Sequence, residues 1–240
     1  MDNIKYVYSN GCSYTEGCGL DNPEKERYSK FLADKFGAED INQSEGGGSN
    51  QRIFRTTYDW ISKNARKPNK LKDTVFVIQL TYPVRNEIWV DRIWRDDYGN
   101  TSHWFGAQFG HDGYTAWESH ERDTSVDKDE LNYNYVPDDV TSSDISWRYV
   151  ISLQSFFKSN NIRYIFFEGD RNLDGMLHRT TKMAKLVDFK YFYDEPFLAS
   201  AGDRLTPCHH PNVDVQIEWA DKLYNYINSE EMTYLYGEWR

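Results

Sequence analysis

The chain has 240 residues and a formal net charge of −10, from 28 Lys and Arg residues against 38 Asp and Glu residues. Hydrophobic residues make up 39% and aromatic residues 16%, a composition typical of a globular protein with a packed core. Binding of the nucleic-acid backbone requires clustered Lys and Arg, which this acidic chain lacks. We therefore expect no nucleic-acid partner.

The sequence carries no apolar run long enough to span a bilayer, so we expect no membrane partner. Residues 1–5 lack the basic start and the long apolar segment of a signal peptide. The three cysteines, Cys12, Cys18 and Cys208, form neither a disulfide framework nor the spacing of a zinc motif. They fit a reducing cytosol, and we expect a cytoplasmic protein.

The first predicted strand, Ile4–Ser9, ends in the turn-forming pair Asn10-Gly11, and Ser13 follows at once. Open α/β sheets bind their ligands at the carboxyl edge of the strands. Ser13 is therefore predicted to lie where a nucleophile would be placed.

Apolar residues recur at helical spacing in Tyr28–Phe36, and Gly37 then ends the predicted helix. A short strand is predicted at Glu39–Asn42, followed by a glycine-rich loop, Gln43–Asn50, and a helix, Gln51–Asn64. The loop allows the backbone to approach a ligand closely. It lacks the Gly-Lys-Ser/Thr ending of a phosphate-binding P-loop.

Thr74–Leu80 is a nearly continuous apolar run, which is typical of a buried parallel strand. Polar residues follow directly at 81–87. From 88 to 144, aromatic residues alternate with Gly, Asp and His without clear periodicity, over a length far beyond an ordinary loop. We interpret residues 88–144 as an insertion or lid within one domain, 1–240.

Regular patterns return after the insertion. They predict, in order, a helix at 144–160, a strand at 163–168, a weak helix at 174–187, a strand at 189–193, a loop at 200–211, a helix at 212–227 and a partner-binding tail at 230–240. Alternating strands and helices predict an α/β protein, with a parallel sheet of about five strands covered by helices on both faces.

The segment Gly11-Cys12-Ser13-Tyr14-Thr15-Glu16-Gly17 resembles the first sequence block of the SGNH (GDSL-type) hydrolase superfamily. Cys12 stands where most members have Asp, as in divergent members common in phage and marine bacterial genomes. The second block, an Asn followed five residues later by a Gly, matches Asn42 and Gly47. The last block matches at His210. The resemblance covers roughly 1–87 and 144–228, and it implies a three-layer α/β/α, flavodoxin-like sheet.

The resemblance implies that Ser13 is the nucleophile and that His210 is the base that activates it. It also implies that the backbone N–H groups of Ser13 and Gly47 bind the oxyanion. Thr81 stands at the position of the family's oxyanion Asn, and its hydroxyl is a shorter donor. Arg85 lies close enough in the sequence to take that role instead, and it is also a candidate for substrate binding.

The last block departs from the family because Pro207 stands at the position of the usual Asp. Asp203 is the candidate that would orient His210, and a backbone carbonyl is the alternative. Asn50 and Glu87 are further candidates for substrate binding, although Glu87 also suits a structural ion pair with Arg85.

Two other chemistries remain open at this point. Cys12 is an alternative nucleophile, paired with His209 or His210. A metal site in the insertion is conceivable, but the spacing of its candidate ligands matches no standard motif, and we predict no metal or cofactor; these ligands are His103, His111, Asp112 and His120.

By resemblance we expect a serine-dependent ester hydrolase whose substrate is a small acyl ester, such as an O-acetyl group on a polysaccharide. The aromatic insertion would form a lid or a sugar-facing wall. The alternatives are a catalytically weakened module that binds carbohydrate or serves in an assembly such as a virion, and an acyltransferase using the same Ser and His. The sequence leaves open whether the chain forms a homo-oligomer.

Overall fold

The computed structural model describes residues 4–95, 101–110, 113–115, 139–170 and 177–237. Its helices and strands follow one another in this order: β1 (Tyr6–Asn10), α1 (Ser13–Glu16), α2 (Pro23–Glu26), α3 (Tyr28–Phe36), β2 (Glu39–Asn42), α4 (Asn50–Asn64), α5 (Pro68–Lys72), β3 (Thr74–Leu80), β4 (Arg85–Arg95), β5 (Thr101–Gly110), β6 (Gly113–Thr115), α6 (Asp139–Ser159), β7 (Arg163–Glu168), β8 (Phe192–Tyr193), α7 (Phe197–Ala201), α8 (Val213–Ile227) and α9 (Glu230–Gly237). None of the described helices is both long and apolar enough to cross a bilayer.

The main sheet has five parallel strands in the order β2-β1-β3-β7-β8. Successive side chains of a strand point to opposite faces. In β3, Val75 and Val77 therefore belong to the core that contains Trp219 of α8, whereas Phe76 belongs to the core that contains Trp147 of α6. The predicted three-layer α/β/α fold is confirmed.

Burial on both faces explains the continuous apolar run of β3, since neither side of the strand meets water. The largest core residues are aromatic, and Trp147 and Trp219 are fully buried. Phe197 stacks on Trp219 with ring centroids 4.8 Å apart. Burying each large apolar side chain contributes about 1.5–3 kcal/mol, and these two layers hold the sheet edge in a fixed position.

A second sheet of three antiparallel strands, β4-β5-β6, forms part of the predicted insertion. It begins at Arg85, and an ion pair between Glu87 of β4 and Arg55 ties its start to α4. The rest of the insertion, 96–100, 111–112 and 116–138, lies outside the described residues. The candidate metal ligands of the insertion are likewise outside what the structure describes; they are His103, His111, Asp112 and His120. The lid role stays a prediction.

Three predicted elements near the C-terminus differ from the structure. In the described part of the weak helix predicted at 174–187, residues 177–187, the only helical stretch is a 3-10 helix, Ala184–Leu186. The predicted strand at 189–193 is a 3-10 helix, Phe189–Tyr191, followed by the two-residue β8. Asp188 caps that 3-10 helix by accepting from the Lys190 N–H at 3.2 Å. The expected partner-binding tail forms α9, whose Met232 and Leu235 are buried in the chain's own core.

Candidate active site

The turn that carries Ser13 is fixed by a buried asparagine at the end of β1. The Asn10 side-chain amide donates to the Ile53 carbonyl at 3.1 Å and to the Thr56 hydroxyl at 2.8 Å. Its oxygen accepts the Gly11 N–H at 3.0 Å. The carboxyl end of β1 is therefore bound to α4, and the chain leaves the strand in one direction.

A second buried amide, Gln79 of β3, holds the same turn from the neighbouring strand. Its oxygen accepts the Thr15 hydroxyl at 2.5 Å, and its nitrogen donates to Cys12 Sγ at 3.0 Å. A Cβ on Gly11 would lie 2.5 Å from Thr15 Oγ1, so only glycine fits there. Because the Cys12 thiol is buried against Gln79, the geometry does not favour Cys12 as the nucleophile.

Ser13 is the first residue of α1 and is half-buried. The first N–H groups of a helix have no intrahelical acceptor, and the Cys12 side chain does not cap this one. The Ser13 N–H is therefore suited to an oxyanion. Within the described part of the chain, the Ser13 hydroxyl makes no hydrogen bond.

The glycine-rich loop after β2 lies against this turn. Gly47 has a φ of +71°, a conformation that favours glycine. A Cβ on Gly48 would lie 3.1 Å from the Gly11 carbonyl oxygen, so the two turns are in close contact. Asn42, which shares the second block with Gly47, donates to the Thr15 carbonyl at 2.9 Å. The first two sequence blocks thus meet at one edge of the sheet.

The end of β3 is fixed by Asn50, which the sequence suggested for substrate binding. Asn50 accepts the Thr81 N–H at 2.9 Å and donates to the Thr81 carbonyl at 3.0 Å and to the Ser146 hydroxyl at 3.0 Å. Its buried amide is thereby committed to the fold. The Thr81 hydroxyl accepts from Arg85 Nη1 at 3.0 Å, which leaves the hydroxyl proton to donate elsewhere.

Arg85 is buried at the start of β4, with its guanidinium 4.9 Å from the centre of the Tyr82 ring. Tyr82 in turn donates to Asp170 at 2.7 Å. Glu87, the other candidate from this segment, binds Arg55 through both carboxylate oxygens, at 2.9 and 2.5 Å. Glu87 therefore forms a structural ion pair, and it does so with Arg55 of α4 and not with Arg85.

His210 lies in the loop before α8, and its ring packs against Tyr14 with centroids 5.3 Å apart. Its Nδ1 donates to the Cys208 carbonyl at 2.8 Å, so the tautomer carries its proton on Nδ1 and presents a bare Nε2. Asp203 does not make this contact. Its carboxylate is exposed and has no hydrogen bond to the described residues. The Cys208 backbone carbonyl, and not the predicted Asp203 carboxylate, is therefore the partner of His210 Nδ1.

Burial lowers the pKa of His210 below its ordinary value, and the positive charge of Arg85 lowers it further, against the opposing effect of the Cys208 carbonyl. The imidazole is therefore neutral near pH 7, the state that a general base requires. His210 and Ser13 are not hydrogen-bonded to each other in the structure. The start of α1 and the His210 loop adjoin, because Tyr14, which directly follows Ser13 in α1, contacts His210.

Sequence reasoning missed Gln79 and Asp170. Gln79 lies inside the apolar run of β3, where a single polar residue gives no sign that its amide reaches the Ser13 turn. Asp170 follows Gly169 just after β7 and therefore lies at the same carboxyl edge of the sheet as Ser13. Its position after a buried strand is the sequence signal that could have identified it.

Residues 15–233 match a sequence family described as a family of unknown function (DUF6071). The chain belongs to this family. No curated protein sequence matches the chain.

Solved esterase structures resemble this fold. The psychrotrophic esterase EstA from Pseudoalteromonas sp. has 16% identity and a TM-score of 0.53, over 98% of this chain and 99% of that one. A carbohydrate esterase family 2 enzyme with a carbohydrate binding domain, from Corynascus thermopiles (Myceliophthora fergusii), has 14% identity and a TM-score of 0.52, over 93% and 65%. The acetyl xylan esterase Est2A from Butyrivibrio proteoclasticus has 13% identity and a TM-score of 0.50, over 93% and 63%. At these identities the likeness establishes the fold, that of SGNH-type esterases.

Proposed function

We propose that this DUF6071 protein is a serine-dependent ester hydrolase and that its Gly11-Cys12-Ser13 turn is a divergent form of the SGNH first block. One observation carries the proposal. The Cys208 carbonyl fixes Nδ1 of a neutral His210, at 2.8 Å, beside the turn that bears Ser13. The arrangement supplies a serine and an imidazole in its basic tautomer at one sheet edge.

In the proposed reaction, the Ser13 hydroxyl rotates toward Nε2 of His210 and attacks the ester carbonyl while Nε2 takes its proton. Catalytic hydrogen bonds are often long without substrate, so the separation in the unliganded site is compatible with this step. The imidazolium donates the proton to the departing alkoxide. Water then attacks the acyl-enzyme with the same imidazole as base, and the Cys208 carbonyl stabilises the charged ring throughout.

Three donors are available for the oxyanion: the N–H groups of Ser13 and Gly47 and the Thr81 hydroxyl. Arg85 donates to Thr81 Oγ1, which polarises that hydroxyl and makes it a better donor. Loss of one such donor costs about 10²- to 10³-fold in rate, so Thr81→Val tests its share.

The substrate class that we propose is a small acyl ester, in particular an O-acetyl group on carbohydrate. The support is the fold shared with enzymes named as a carbohydrate esterase and an acetyl xylan esterase. The aromatic residues of 88–144, which include Trp89, Trp94, Trp104 and Trp117, suit a surface that stacks on sugar rings.

The decisive experiment measures p-nitrophenyl acetate hydrolysis by wild type and Ser13→Ala. We expect kcat/KM to fall by at least about 10³-fold, since removal of a nucleophile leaves only residual catalysis. Ser155→Ala, an exposed serine of α6, is the control and should stay within about twofold. Equal rates for wild type and Ser13→Ala would end the claim.

A carbohydrate-binding module of weakened catalysis is the second candidate. It is favoured by the absent hydrogen bond between Ser13 and His210. In that case wild type would bind acetylated xylo-oligosaccharides in calorimetry without releasing acetate. Release of acetate that is lost in Ser13→Ala excludes it.

A further inference from the structure

We propose that Cys18, Cys208 and His210 bind a soft divalent metal ion such as Zn²⁺ and that the ion inhibits the site by taking Nδ1 of His210. The metal site stands on its own geometry. The inhibition rests on the proposed hydrolase function.

The three ligand atoms already lie together, because the two thiol sulfurs and an imidazole nitrogen are all within 4.8 Å of one another. Cys208 Sγ is 3.3 Å from His210 Nδ1. A tetrahedral zinc ion with Zn–S near 2.3 Å and Zn–N near 2.0 Å separates sulfur from sulfur by about 3.8 Å and sulfur from nitrogen by about 3.5 Å. Small side-chain rotations bring the three atoms to these distances.

The fold keeps room for this cluster. Gly19 has a φ of +83°, and a Cβ there would lie 2.4 Å from Cys208 Sγ and 2.6 Å from Thr206 Oγ1. The turn after α1 can approach the histidine loop only because residue 19 is glycine. Thr206 closes that loop, since its N–H donates to the His210 carbonyl at 2.7 Å. The two cysteines are far apart in the sequence, which is why their spacing gave no zinc motif.

The donor set and its exposure favour a reversible ion. Two thiolates and an imidazole are preferred zinc ligands, and three protein ligands leave a fourth position for water. Cys208 is exposed and Cys18 is half-buried, so an ion reaches the cluster from solvent.

Binding changes which nitrogen of His210 is basic. The two thiols release their protons to solvent, and the metal replaces the proton on Nδ1 that now bonds to the Cys208 carbonyl. Nε2 then gains a proton, so two protons leave per ion. A protonated Nε2 does not accept the proton of Ser13, and ester hydrolysis stops.

Binding is tested by titrating reduced, metal-free protein with Co²⁺ and recording the thiolate-to-metal absorbance, then displacing Co²⁺ with Zn²⁺. Wild type and Cys12→Ser, which removes a buried thiol outside the cluster, should each bind one ion. Cys18→Ser and Cys208→Ser should bind at least about 100-fold more weakly, since even loss of a second-shell contact costs about 10- to 100-fold. No thiolate band in wild type, or an unchanged affinity in Cys18→Ser, overturns the site. So does a Cys18–Cys208 disulfide that persists in tris(2-carboxyethyl)phosphine, detected by mass.

Inhibition is tested with p-nitrophenyl acetate. Zn²⁺ should suppress wild-type turnover by at least about tenfold at saturation, a chelator should restore it, and Cys18→Ser should stay active at the same Zn²⁺ concentration. One-to-one Co²⁺ binding with no inhibition refutes the inhibitory role. One-to-one binding by a protein without esterase activity in any metal state supports the site and contradicts the hydrolase.

Discussion

The two candidate catalytic residues are held by different kinds of structure. Ser13 follows a buried turn that is fixed by the side chains of Asn10 and Gln79, each of which reaches a neighbouring element. His210 lies in a partly exposed loop that is fixed mainly by its own backbone, including the hydrogen bond from Thr206 N–H and the contact with the Cys208 carbonyl.

The two kinds of structure differ in the free energy needed to open them, which is high for the Ser13 turn and lower for the His210 loop. A buried polar network is costly to disrupt, because each lost partner leaves a desolvated group behind. An exposed loop with few long-range contacts opens at a lower free energy. His209 even adopts a φ of +63°, which is rare outside glycine. We infer that the backbone of the Ser13 turn is fixed, so that the Ser13 hydroxyl adjusts only by side-chain rotation, and that the His210 loop opens at the lower free energy.

The largest expected effect is on the nucleophile side. Asn10→Ala should lower the free energy of unfolding by about 2–4 kcal/mol, because it leaves buried hydrogen-bond partners in α4 unsatisfied. Urea unfolding of this variant measures the loss. Asn225→Ala, on an exposed position of α8, is the matched control and should change stability by less than about 0.5 kcal/mol. Equal losses of unfolding free energy in Asn10→Ala and Asn225→Ala would show that the Asn10 network does not stabilise the turn.

A similar asparagine-to-alanine change in the His210 loop should lower the free energy of unfolding by less than Asn10→Ala does. Asn212 caps α8 by accepting the Val215 N–H at 3.1 Å, and Asn212→Ala should cost about 1 kcal/mol. Because the cap closes the histidine loop, kcat/KM should fall more than stability alone explains. A stability loss as large as that of Asn10→Ala would show that the loop is as tightly built as the turn.

The acid side of the pH profile reports on the base itself. Burial and Arg85 lower the pKa of His210, so the neutral imidazole should persist, and kcat/KM should stay high, to a pH below the ordinary histidine value of 6.5. Arg85→Met removes a positive charge, so the pKa should rise and the acid limb should move to higher pH. Arg85→Lys keeps the charge and should leave the limb in place. Identical acid limbs of kcat/KM in Arg85→Met and Arg85→Lys would contradict the assignment of that limb to His210 beside the Arg85 charge.

The smallest expected effect is at Asp203. Asp203→Ala should leave kcat/KM within about twofold of wild type, because the Cys208 carbonyl orients His210. A fall of more than about tenfold, with unchanged thermal unfolding, would show that the carboxylate reaches the imidazole during turnover.

The scaffold was predictable because its signals are local. A continuous apolar run marked β3, helical spacing marked α3 and α8, and a glycine-rich loop marked the end of β2. The positions of Ser13 and Gly47 at the sheet edge followed from the alternation of strands and helices.

The rest depended on contacts between distant parts of the chain. A backbone carbonyl has no sequence signature, so Cys208 was not identifiable as the partner of His210. The same holds for Asn50, whose amide is used by Thr81 across the sheet edge. The pairing of Glu87 with Arg55 likewise joins a strand to a helix.

The strand order β2-β1-β3-β7-β8 also determines when each half of the site forms during synthesis. Once Thr81 has emerged, β1 has both neighbours, Gln79 can bind the Ser13 turn and Asn50 can bind Thr81. His210 follows after a further 129 residues, roughly 6 to 26 s later at typical translation rates of 5–20 residues per second. The edge of β3 stays uncovered only until β7, Arg163–Glu168, has emerged. From then until His210 emerges, the nascent chain carries the serine turn without its base.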